Sequence, residues 1–258
     1  MITHRIYLAG RVAIEHGAHF ADERRLSARQ GRLAFAFLVA ERHRPIGRDE
    51  LVSVIWPGAQ PQEVDVAFSA ILSKLRAALK HAGWSSREAG IDVRLGSVEL
   101  RLPAQTWIDL EAAVSAIDEA EGALRSGRRG EAWSSTNIAV SIARRPFLGD
   151  EDAPWIEAQR RKLRALLARG LHCLSSVSAA NSEPALAIQY AKELIALEPF
   201  RETAYQHLMR LHAQMGNGAE ALRVFGACRE LLREELGASP SPETEALFLE
   251  ILRAAPPS

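Results

Sequence analysis

VDVAFSAILSKLRAALKH, residues 64–81, separates into two faces when read at about 100° per residue. Val64, Phe68, Ile71, Leu72, Leu75, Ala78 and Leu79 fall on one side, wide enough for a buried stripe. Ser69, Ser73, Arg76 and Lys80 fall together on the other. That outer face is small, hydroxyl-bearing and basic, and Val66, Ala70 and Ala77 beside it leave the backbone open to close approach. A helix of this kind fits a DNA major groove, with Arg and Ser facing base edges and Lys facing phosphate. An amphipathic helix with a solvated outer face has the same pattern, so the neighbouring segments have to decide.

On the N-terminal side, Ile2 to Phe20 alternates loosely around Gly10 and Gly17 and predicts two or three short strands. Ser27 is placed to cap a helix over Ala28 to Glu41, with Leu33, Ala34, Phe37, Leu38 and Ala40 on its buried side. Arg24, Arg25, Arg29 and Arg32 crowd its start, against the usual preference for acid there. Either they are solvated or they contact phosphate. A short helix over Asp49 to Trp56 follows His43-Arg44-Pro45 and ends at Pro57-Gly58. On the C-terminal side, Ile91 to Leu95 and Val98 to Leu102 alternate as strands around a Gly96-Ser97 turn, and carry Arg94 and Arg101. A sheet, three helices and a hairpin form the layout of a winged helix, whose third helix enters the groove.

The whole chain has the composition of a globular protein, with 258 residues, 47% hydrophobic and 25% charged. Its net charge is zero but unevenly spread. Residues 1–103 hold 15 Lys and Arg against 11 Asp and Glu, and residues 104–258 hold 17 against 21. Five of the eight histidines lie in the first part. Cys173 and Cys228 sit in apolar helical patterns away from any metal-type spacing and read as core residues. No apolar run reaches 18 residues and no basic-then-apolar leader begins the chain, so a cytoplasmic location is expected.

Pro103 and Trp107-Ile108-Asp109 mark the expected domain boundary, and from Leu110 the pattern is helical. The acidic Gly149-Asp150-Glu151-Asp152 stretch has no histidine or second acidic pair beside it and reads as a solvated loop. Ala187-Ile188-Gln189-Tyr190 and Ala221-Leu222-Arg223-Val224 recur at the 34-residue period of tetratricopeptide repeats. Ala204-Tyr205, Leu208, Leu211 and Gly216 between them fit the first helix of a repeat. The groove of such a stack either binds other protein segments or is filled by the protein's own helices. His172, His207 and His212 read as surface or groove residues.

EPFRETAYQHLMRLHAQMGNGAEALRVFGACRELLREELGASPSPET, Glu198 to Thr244, resembles the hallmark of the bacterial transcriptional activation domain. The hallmark is a Pro-x-Arg-Glu turn, Leu-Met, Gly, Ala-Leu-x-x-Phe/Tyr, then Glu-Leu-Gly and Pro-Ser-Pro-Glu-Thr. Arg145 to Asp150 and Trp155 to Leu163 resemble its earlier blocks, and Gly31 to Pro57 with Leu72 to Leu79 resemble a winged helix of the same proteins. Over nearly its full length the chain is similar to the SARP-type antibiotic regulatory proteins. The resemblance implies a transcriptional activator that binds promoter direct repeats as two or more protomers and contacts RNA polymerase. It aligns Ser73, Lys74 and Arg76 with the family's Ser-Arg-Leu-Arg stretch, and Ser69 with a polar base-reading position. Ala77 and Ala78 depart from it, standing where many members have Arg or Lys. So do Glu63 and Asp65, which either repel phosphate or cap the helix.

The expected fold is mainly α: a winged helix-turn-helix over 1–103, with an N-terminal sheet and a C-terminal hairpin, then an all-α tetratricopeptide-like domain over 104–258. The expected DNA-binding residues are Ser69, Ser73 and Arg76 at bases, and Lys74, Lys80, Arg94 and Arg101 at phosphates. The alternative is a helical-repeat interaction module with a degenerate DNA-binding face, for which zero net charge, Asp65 and Ala77 speak. No Gly-x-Ser-x-Gly elbow, His-Glu-x-x-His, phosphate loop or carboxylate pair near a histidine suggests an enzyme, and no metal or cofactor is expected. No membrane partner is expected either.

Overall fold

The computed structural model describes residues 4–26 and 28–254. The Ser27 cap and Ile2 lie outside the described residues. The chain divides into two compact units. One runs up to Ala112 and also takes in Arg145–Lys162; the other joins Ala113–Arg144 to the chain from Leu163 on. The sequence reading cut the chain once, after residue 103, whereas the compact units interleave.

The first unit opens with β1 (His4–Tyr7), β2 (Ala13–His16) and β3 (His19–Ala21). The helices α1 (Ala28–Ala40), α2 (Arg48–Ile55) and α3 (Val64–His81) follow, with the two-residue β4 (Ile46–Gly47) between the first two. Then come β5 (Gly90–Arg94), β6 (Ser97–Arg101) and β7 (Trp107–Ile108). One sheet has the order β3-β2-β1-β7 and the other β4-β6-β5. Trp107-Ile108, read as a boundary in the sequence, pairs in parallel with Arg5 and Ile6. A parallel neighbour requires a crossover; here the crossover is the whole helical section and its hairpin. The join is fixed by Asp109, whose buried carboxylate accepts the backbone N–H groups of Leu8 and Ala9 at 2.9–3.0 Å.

Helix α1 explains why the first unit includes Arg145–Lys162. From Leu33 to Val39 every residue is buried, including Phe35, Ala36 and Val39 as well as the expected Leu33, Phe37 and Leu38. A helix apolar all round needs cover on all sides. Helices α2 and α3 cover part of it, and Trp155 stands edge-on to Phe37 and Phe147 at 5.1 and 5.8 Å. Arg160 folds the segment on itself, donating to the carbonyl oxygens of Phe147, Leu148 and Glu151.

The second unit is helical. It takes in α4 (Asp109–Arg125) from Ala113 on, α5 (Arg129–Ala143), α6 (Pro154–Ala180) from Leu163 on, α7 (Pro184–Leu197), α8 (Glu202–Gln214), α9 (Gly218–Leu236) and α10 (Pro242–Ala254). Small residues set the packing distance: Ala187 and Ala191 of α7 meet Leu208 and Leu211 of α8. Ala221 and Phe225 of α9 meet Met209 and the α10 residues Leu247 and Ile251. Thus α7 is the second helix of one repeat, α8 and α9 form the next, and α10 packs on the last. Gly170 marks the closest approach of α6 to α5, since a Cβ there would stand 2.4 Å from Val140 Cγ2. Both cysteines are buried free thiols, and burial pushes each up to about 11.

The two ends of the C-terminal hallmark meet in space. Glu202, at the start of α8, accepts hydrogen bonds from Ser241 N–H, Ser241 Oγ and Thr244 Oγ1 at the start of α10. Gln206 Nε2 donates to the same Thr244 hydroxyl at 2.9 Å. The Arg-Glu and Pro-Ser-Pro-Glu-Thr parts of the motif therefore form one polar joint, which fixes α10 against α8.

Candidate nucleic-acid interface

Phe68, Ile71, Leu72, Leu75, Ala78 and Leu79 of α3 are buried, which leaves the opposite face to solvent. Ser69, Ser73, Lys74, Arg76 and Lys80 are all exposed on it, together with Val66, Ala70 and Ala77. Ser69, Ser73, Lys74 and Lys80 have no hydrogen-bond or ion-pair partner among the described residues.

Arg76 differs from these neighbours. Its Nε and Nη2 both donate to the carbonyl oxygen of Ile91 in β5, at 3.0 and 2.8 Å. The guanidinium thereby ties the helix to the hairpin and keeps three of its five N–H groups for other partners. Arg94, near the hairpin tip, is exposed, and its side chain has no partner among the described residues. Arg101 is engaged: Nη1 donates to Arg87 O at 2.6 Å, Nη2 to Ser86 O at 3.0 Å, and Nε lies 3.5 Å from Asp92 Oδ2. It closes the loop before β5 instead of standing free.

The hairpin turn lies one residue earlier than the alternation suggested. Arg94 pairs with Ser97, so the two central residues are Leu95 and Gly96. Both have positive φ, 48° and 79°, the pattern of a tight type I′ turn, which favours Asn-Gly. The turn is pinned at both ends, by Arg48 N–H to Gly96 O at 2.8 Å and Ser97 Oγ to Arg94 O at 2.8 Å.

Several charges flagged in the sequence are neutralised internally. Glu63 makes no side-chain capping bond to α3, and Asp65 pairs with Arg48, whose guanidinium also lies 5.5 Å from the Phe68 ring centre. Asp65 thus compensates a neighbouring cation. Arg29 and Arg32 are neither merely solvated nor free for phosphate. Both reach Glu151, at 2.6 and 3.1 Å, and Arg32 also reaches Asp150 at 2.7 Å. The acidic stretch is therefore solvated only in part: Glu151 is 5% exposed while Asp150 is 67% exposed. In the second unit His212 is buried. His207 is half-buried beside His172, with Nε2 2.8 Å from Ser175 Oγ, and burial lowers its pKa to about 4.

A third helix with a cationic, hydroxyl-bearing outer face, followed by a hairpin, is the layout that helix-turn-helix proteins use to meet DNA. Residues 108–252 match the family model described as the bacterial transcriptional activator domain. The match spans more than half of the chain: the protein belongs to this family and is a regulator of the SARP type, not an enzyme. MoaR1 of Mycobacterium tuberculosis, a transcriptional regulatory protein, is 26% identical over 87% of this chain and 72% of its own length. The regulatory protein AfsR of Streptomyces griseus is 28% identical over 88% of this chain but only 22% of its own. A solved structure of Mycobacterium tuberculosis EmbR in complex with a low-affinity phosphopeptide superposes with a TM-score of 0.85 at 22% identity. That likeness covers 99% of this chain and 66% of the EmbR chain, and it concerns the fold. No helix among the described residues is long and apolar enough to cross a membrane.

Proposed function

We propose that this protein is a sequence-specific DNA-binding activator that places α3 in the major groove. The observation that carries the reading is the outer face of α3, where Ser69, Ser73, Lys74 and Lys80 are exposed and without partners among the described residues. Ser69 and Ser73 read base edges, while Lys74, Lys80 and Arg94 hold phosphates. Arg76 reads a base with the N–H groups that Ile91 leaves free. Arg101 supports the hairpin through its loop carbonyls and adds least to direct contact. Such a chain acts in the cytoplasm on promoter direct repeats, as two or more protomers, and its helical unit meets RNA polymerase. Tandem binding raises effective concentration and offsets a modest single-site affinity.

Selection of duplexes from a random library with the purified protein, at two salt concentrations, tests this. The expected result is a short motif enriched as a direct repeat. Binding should weaken with salt, and replacing Lys74, Lys80 or Arg94 by Ala should each reduce the log–log slope by about 0.9. Arg76→Ala should cost about 1–3 kcal/mol and relax one base position. An equal loss on every sequence would reduce Arg76 to its tie with Ile91. The competing reading, an interaction module with a degenerate DNA-binding face, draws on the cations spent internally at Arg29, Arg32 and Arg48. It predicts weak, unselective retention that vanishes at the higher salt.

A further inference from the structure

We propose that the tip of the hairpin is an apolar wedge, and that the protein bends the DNA it binds by inserting Leu95 into the minor groove. The inference rests on the DNA-binding reading above and adds a deformation to it. Leu95 is fully exposed and sits at φ 48°. That backbone region disfavours L-residues with a Cβ, and Asn, Asp and Gly are the usual occupants. A two-residue turn of this kind would be served better by Asn, on grounds of both strain and solvation. Leucine here gains nothing from the protein's own core, because its side chain touches solvent on all sides. Strained residues persist where a function uses them.

The surroundings select the occupant. Arg94, next to Leu95, is exposed and its side chain is unpaired among the described residues, and Val93 two residues back is also exposed. The tip is held rigidly by the Arg48–Gly96 and Ser97–Arg94 hydrogen bonds. Arg76 ties the same hairpin to α3 through Ile91. A cation beside a projecting leucine on a fixed ribbon matches the chemistry of minor-groove wedges. There Arg is drawn to the negative potential of a narrow groove and an apolar side chain partly unstacks a base step. The unstacking is cheapest at pyrimidine–purine steps, so the position under the tip favours TA or CA/TG even though no base edge is read there.

The test uses the full-length protein and an end-labelled duplex carrying the motif enriched in the random-library selection, with bending read by energy transfer between the ends. Leu95→Asn removes the wedge and relieves the backbone, so its melting temperature should equal or exceed that of the wild type. Leu95→Met keeps an apolar wedge. The expected result is a bend of roughly 20–90° with wild type. Leu95→Met should retain it, and Leu95→Asn should lose at least half of it while still enriching the same major-groove motif. Equal bending by wild type and Leu95→Asn, or a straight duplex with wild type, would overturn the wedge and leave the DNA-binding reading standing. Loss of self-association in Leu95→Asn with bending intact would likewise overturn it and make Leu95 a contact between copies. If wild type enriches no motif at either salt, the DNA-binding reading fails and the wedge fails with it.

Discussion

Glu151 and Asp150 are adjacent acids in one loop, and the structure predicts very different costs for removing them. Glu151 is 5% exposed and faces Arg32, itself 13% exposed, and Arg29, which is 49% exposed. Replacing Glu151 by Ala leaves Arg32 nearly buried, with the exposed Asp150 and Glu23 as its remaining partners. Removing one member of a buried pair costs about 3–5 kcal/mol, because the other charge stays desolvated. The half-exposed Arg29 can rehydrate and Arg32 keeps Asp150, so the lower end applies, about 3 kcal/mol. Asp150→Ala removes a surface partner and should cost under about 1 kcal/mol. The assay is urea unfolding followed by tryptophan emission in a Trp133→Phe background. The remaining tryptophans, Trp155 among them, then all lie in the first unit. A loss below about 1 kcal/mol for Glu151→Ala, or equal losses for the two variants, would refute the claim that burial and not charge count sets the strength of this contact.

The joint between α8 and α10 should be acid-sensitive. Burial pushes the Glu202 carboxyl up, and hydrogen bonds from Thr244 and Ser241 more than offset this, leaving it below the ordinary glutamate range. A carboxyl depressed in the folded state adds stability above its unfolded pKa, near 4.3, and that stability is lost as pH falls through the folded value. Glu202→Gln should flatten the acid limb of a melting-temperature profile; an unchanged profile would exclude Glu202 as its source. Gly170→Ala should lower stability by about 1–3 kcal/mol through overpacking, because the new methyl meets Val140 at 2.4 Å. A helix-propensity gain, seen as a higher melting temperature by circular dichroism, would contradict that close approach.

The helix that carries the candidate interface was legible before folding because its signals are local. The span and polarity of α3 follow from spacing within 18 residues, and the 34-residue recurrence marks the repeats of the helical unit without any tertiary information. The Glu198–Thr244 hallmark likewise points to the activator family. Where the chain departs from local reasoning, the missing term is a partner far away in sequence. Arg29 and Arg32 face acids more than 110 residues on. Arg76 is tied to a carbonyl that no side-chain pattern encodes. The turn moved to Leu95-Gly96 because strand register is set by which residues pair across the hairpin, and alternation alone does not fix that pairing.

The sequence by itself determined the main helices of the first unit, the repeat and the family, since periodicity and motif are properties of neighbouring residues. Only the tertiary structure decided which charges remain available to a partner. Of the basic residues flagged in the sequence, the side chains of Arg24, Arg25, Lys74, Lys80 and Arg94 stay free among the described residues, while Arg29, Arg32 and Arg101 are drawn into internal pairs. A charge is worth most to a ligand when nothing closer competes for it, and the distance to the nearest opposite charge exists only in the folded chain.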